Sequence, residues 1–137
     1  MPINKNNPSP KIKHLKLNPL SVAKFFYKEI GERALDPAFI QPIIYLCHKE
    51  LKKKENLLLF EEEFKISEYT PFLPSLDKLL ENENKIIKEL TKAEDINNFL
   101  VIKYLKSFAQ KYNDTFACEL QFKASRSSNS DRRMNLR

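Results

Sequence analysis

Apolar residues recur at helical spacing over most of this chain, and the recurrences break at prolines, asparagines and a single glycine. Asn18-Pro19 reads as a helix start, because the Asn side chain can cap free amides and Pro at the first helical position gives up no needed donor. Leu20, Ala23, Phe25, Phe26 and Ile30 then follow at helical spacing, and Gly31 suits a left-handed stop. Asp36-Pro37 repeats the capping device. Phe39, Ile40, Ile43, Ile44, Cys47 and Leu51 mark one face of the second helix, which runs out into Lys52-Lys53-Lys54-Glu55. Pro42 lies inside that helix, where it removes a hydrogen bond and crowds the preceding turn, so a kink or a start near Gln41 is expected.

The helical period fades from Leu57 to Glu68, and Phe64-Lys65-Ile66-Ser67 alternates like a short strand or extended connector. Pro71 and Pro74 end the extended piece, and Leu76, Leu79 and Leu80 open a third helix. Asn84 to Leu90 reads as a shorter helix. Thr91-Lys92-Ala93-Glu94 resembles a capping box before a helix carrying Ile96, Phe99, Leu100, Val101, Tyr104, Leu105, Phe108 and Tyr112. That stripe is broad enough to predict the central element of the core. Phe116, Leu120 and Phe122 predict a last short helix or strand. The fold class expected is mainly α: a compact single domain of five to six helices with at most a short β element.

Composition sharpens this map. With 137 residues, 42% of them hydrophobic and 31% charged, the chain has the make-up of one ordinary soluble domain. No apolar run approaches a membrane span, no signal-peptide stretch follows Met1, and two cysteines without Cys-x-x-Cys spacing suit a reducing cytosol. A cytoplasmic protein is expected. The formal charge of +6 is unevenly spread: residues 1–17 and 123–137 each carry +4, which leaves 18–122 at −2. Both ends are poor in apolar residues and read as disordered basic tails flanking a helical domain over 18–122. Such tails could touch nucleic acid weakly and without sequence choice.

Catalytic parts are scarce. Dinucleotide and phosphate loops need several glycines, and Gly31 is the only one. His14 falls in the N-terminal tail, leaving His48 as the histidine a triad could use. Cys47-His48 offers two adjacent ligands that diverge on a helix and lacks a matching pair, so Cys47 reads as core and His48 as a boundary residue. Cys118 likewise reads as a small core residue. Glu61-Glu62-Glu63 cannot converge on one point and reads as a solvated acidic edge. No enzyme activity, metal or cofactor is expected.

Three segments carry a family resemblance: Ile40-Gln41-Pro42-Ile43-Ile44-Tyr45, Leu59-Phe60-Glu61-Glu62-Glu63-Phe64 and Tyr69-Thr70-Pro71-Phe72. With Val22-Ala23-Lys24-Phe25-Phe26 before them, they resemble, in order and distance over about residues 18–112, the Panacea or SocA-like antitoxin domains. Pro42 and Thr70 replace a Lys and a Gly of that pattern, and the family's C-terminal Thr-His with a following Trp has no counterpart. The resemblance implies a non-catalytic helical domain that binds a protein partner, neutralising a toxin or delivering it to a protease. It implies partner-binding roles for the matching positions Gln41, Tyr45, Tyr69 and Pro71. A small mobile-element or regulatory accessory protein, contacting nucleic acid through its tails, is the competing expectation.

Overall fold

The computed structural model describes the backbone of residues 11–68 and 70–135, with side chains through residue 129. Six α-helices and two short sheets of two strands each are found among the described residues. The expected class is therefore the observed one. In chain order the elements are β1 (Lys13–His14), α1 (Pro19–Ile30), a 3-10 turn (Glu32–Leu35), α2 (Pro37–Glu55) and β2 (Leu57–Leu58). The hairpin strands β3 (Lys65–Ser67) and β4 (Thr70–Phe72) follow, then α3 (Pro74–Leu80), α4 (Glu83–Lys92), α5 (Phe99–Tyr112) and α6 (Ala117–Asn135).

The caps explain the first two helix starts. Asn18 Oδ1 accepts from the Leu20 amide at 2.9 Å and Asp36 Oδ1 from the Ala38 amide at 3.0 Å, each with a proline at the next position. Gly31 stops α1 at φ 89°, and no atom crowds the place its Cβ would take, so the backbone angle and not space favours glycine there. Asn56, at φ 55° and ψ 38°, ends α2 in the left-handed helical region, whereas Gly31 has ψ −148°. Pro42 sits inside a helix that runs without interruption from Pro37 to Glu55, so the expected late start near Gln41 is corrected.

The core is organised around α2, not around the helix ending at Tyr112. Phe39, Ile40, Ile43, Ile44, Cys47 and Leu51 are fully or almost fully buried, and α2 touches α1, α3, α5, α6 and strands of both sheets. Burying each such side chain contributes roughly 1.5–3 kcal/mol relative to exposure. The helix α5 begins later than the sequence suggests. Asn98 caps it through the Val101 amide at 3.1 Å, whereas Thr91 lies in α4 and its hydroxyl donates to the Ile87 carbonyl at 2.9 Å. Phe99 consequently occupies the first position of α5, two residues before the buried Val101 and on the opposite side, and is 88% exposed.

Both supposed tails are in part structured. The Lys13, Leu15 and Leu17 amides donate to the Asn56, Leu58 and Leu59 carbonyls at 2.8, 2.9 and 2.7 Å, with β1 parallel to β2. Leu15 and Leu17 pack on the core. At the other end α6 continues to Asn135, with Leu120, Ala124 and Ser128 buried at helical spacing. Small residues allow close approach to α2, and this is why a Ser-rich segment without apolar bulk can still pack. Residues 1–10 lie outside the described residues.

Candidate functional site

Gln41, the fifth residue of α2, is 3% exposed and bonds to Leu73 at the start of α3. Its Nε2 donates to the Leu73 carbonyl at 3.1 Å, and its Oε1 accepts from the Leu73 amide at 2.9 Å. One side-chain amide thus satisfies both backbone groups of a fully buried residue, where leaving either unpaired would cost about 1–3 kcal/mol. Glu62 completes the junction by accepting from the Ser75 amide at 2.8 Å and from its hydroxyl. It supplies α3 with the cap that Leu73 lacks a side chain to provide. The middle of the acidic triplet therefore has a defined partner, while Glu61 and Glu63 are exposed.

One turn further along α2, Tyr45 is 8% exposed, with its ring edge-on to Phe64 at 5.1 Å. Phe64 meets Phe60 at 6.0 Å, and the His48 imidazole stacks on Phe60 at 5.8 Å and tilts toward Phe64 at 5.2 Å. Burial, reinforced by the Lys52 charge, lowers the His48 pKa to about 4, so the imidazole is neutral at pH 7. Its Nδ1 is buried without a hydrogen-bond partner. Neighbouring Cys47 is fully buried, and burial, with a smaller push from Glu50, raises its thiol far above the usual range, so it is inert as a nucleophile at neutral pH. Cys118, expected in the core, is exposed. No group of three or more His, Cys, Asp or Glu placed to hold a metal occurs among the described residues.

Pro71 is buried in β4 and pairs in register with Ile66 of β3. The hairpin lies on α2 and α6. Where these elements meet, a depression of about 320 Å³ opens, its floor including Gln41 and Pro71 and its rim including Ala38, Thr70, Phe72 and Gln121. The structure thus brings Gln41, Tyr45 and Pro71 close to one junction and buries all three, which gives them packing roles and leaves the accessible rim to Thr70 and Phe72 of the same motif and to Ala38 and Gln121, which the sequence did not single out. Tyr69 lies outside the described residues. The rim as a whole was not legible because it is assembled from three elements distant in sequence, α2, β4 and α6.

Two further regions have distinct chemistry. A wider hollow of about 480 Å³ beside His48 brings His14 and Lys16 against Glu61, Glu62 and Glu63. At the far side, Arg33 lies over the Phe39 ring at 4.1 Å and donates to the Asn113 and Thr115 carbonyls, tying the α5–α6 connection to the first half of the fold. Lys24 makes a comparable clasp through the Ala93 carbonyl at 2.7 Å and Asp95 at 3.1 Å, with Lys28 also on Asp95 at 3.2 Å. These cations lower the Asp95 pKa. The chain matches no family model, no curated protein and no solved structure. No helix among the described residues is long and apolar enough to cross a membrane.

Proposed function

We propose that this chain is a non-catalytic protein-binding domain of SocA-like antitoxin type, which holds a small toxin protein at the depression between α2, the β3–β4 hairpin and α6. The observation that carries this reading is the convergence at one junction of segments distant in the sequence. Gln41 clasps Leu73 just beyond β4, Tyr45 packs on Phe64, and Pro71 shares the depression's floor with Gln41. These are the three segments in which the family resemblance resides. In this reading the buried residues fix the shape of the floor, and Ala38, Thr70, Phe72 and Gln121 on the rim meet the partner. A rim of mixed apolar and amide groups over a preformed floor suits a protein surface, which needs apolar contact and a few directed hydrogen bonds. Masking a toxin, or passing it to a protease, requires only such a surface.

Site-specific photocrosslinking in the native host tests this. A photoreactive phenylalanine at Ala38 or Thr70 should capture the same small protein, while one at exposed Lys88 on α4 should not. Expressing the captured protein alone should arrest growth, and co-expressing this chain should relieve the arrest. Capture at Lys88 equal to that at the rim, or a captured protein without toxicity, would contradict the reading.

A further inference from the structure

The helix α6 has two unlike faces. Leu120, Ala124 and Ser128 are buried against the fold, while Phe122 is 62% exposed and Phe116, just before the helix, is 71% exposed. The Arg126 guanidinium lies over the Phe122 ring at 5.6 Å. One turn toward α5, Lys111 and Lys123 both place their ammonium groups 5.3 Å from the Tyr112 ring, so two helices contribute cations to one surface. Between Ala117 and Asn129, Glu119 is the only acid on α6, and the sequence from Lys123 onward carries +4.

Gln41 and Gln121 share one depression, and Lys49 donates to the Ser127 carbonyl at 3.0 Å, so α2 and α6 run side by side in the same direction. Parallel packing puts the exposed Lys52 and Lys53 at the same end of the molecule as the later turns of α6, with Lys52 lining the hollow that also holds Glu61, Glu62 and Glu63. The folded part without its ends is mildly acidic, which makes this concentration of cations local and not a property of the whole surface.

We propose that the outward face of α6 binds single-stranded nucleic acid, with Lys111, Lys123 and Arg126 on phosphates and Phe122 as a stacking surface for a base. Cations alone would attract any polyanion. The exposed flat ring beside a guanidinium is what distinguishes a strand with unpaired bases, since base stacking on an aromatic side chain is independent of sequence and adds to phosphate neutralisation. An acidic membrane would use the same cations but would give isolated Phe116 and Phe122 rings no continuous apolar face to insert.

The test is fluorescence anisotropy with the full chain and three probes: labelled oligothymidylate, an abasic strand with the same number of phosphates, and vesicles containing phosphatidylserine. Oligothymidylate should bind in low salt, weaken steeply as salt rises, and exceed the abasic strand by about tenfold in affinity. Phe122→Ala should abolish that preference, and a Lys123→Glu, Arg126→Glu variant should weaken both strands. Unfolding curves of each variant show that the comparison is between folded proteins. Equal binding of the two strands by the wild type, affinity unchanged in the charge-reversal variant, no binding in low salt, or tighter binding to the vesicles than to oligothymidylate would each overturn the proposal.

Discussion

The junction around Gln41 and the outward face of α6 are both rich in aromatic residues, and they use them in opposite ways. At the junction, Tyr45 and Phe60 both pack on Phe64, and the Gln41 side-chain amide one turn from Tyr45 is consumed by backbone. On α6, Phe122 has a guanidinium over one face and is otherwise largely open to solvent. The lesson is that an aromatic's role is set by whether neighbouring elements close over it. Phe64 packs edge-on against Tyr45, which is 8% exposed, whereas Phe122 stays 62% exposed with Arg126 set over its ring. Substitutions should therefore separate the two regions by stability in one case and by binding in the other.

The largest effect is expected at Tyr45. Replacing it with alanine removes a ring from a packed cluster and should cost roughly 3–5 kcal/mol in urea unfolding. A loss below about 1 kcal/mol would mean that the junction is no more closed than α6. Gln41→Ala comes next. It leaves both backbone groups of Leu73 without a partner and should cost about 3 kcal/mol, whereas Gln41→Glu keeps an acceptor for the amide and sets a second acceptor against the carbonyl.

Acid should weaken the junction before it affects α6. A His48 pKa held near 4 in the folded chain, against about 6.5 when unfolded, means that the unfolded chain binds the extra proton between those values. Stability from this group is fully present above about pH 6.5 and falls as pH drops through the window toward 4, by about 2 kcal/mol once partial exposure of the ring is allowed for. His48→Phe, which keeps the stacking and cannot be protonated, should remove that slope in unfolding experiments run across the window. The smallest effect belongs to Phe122→Ala, which should change stability by less than about 0.5 kcal/mol because the ring contributes little to the packed interior.

Most helices were legible because their signals are local. Asn18-Pro19 and Asp36-Pro37 cap as their chemistry dictates, and the apolar face of α2 follows from residues within one segment. The errors came where distant contacts decide. Ser127 and Ser128 read as tail because nothing near them in sequence announces Lys49 or the side of α2 on which they pack. The same holds for Leu15 and Leu17, whose partners are backbone carbonyls more than forty positions away, at Leu58 and Leu59. Gln41 illustrates the limit for the site itself: its position in a motif was visible, but its bonds to Leu73 were not, and those bonds turn a candidate contact residue into a structural clasp.

That clasp is the centre of the account, and native-state hydrogen exchange at the Leu73 amide tests it most directly. Bonded to Gln41 and fully buried, this amide should exchange only through global unfolding, with a protection free energy equal to that from urea denaturation and sharply reduced in Gln41→Ala. Exchange at Leu73 as fast as at exposed loop amides, or protection unchanged by Gln41→Ala, would contradict it.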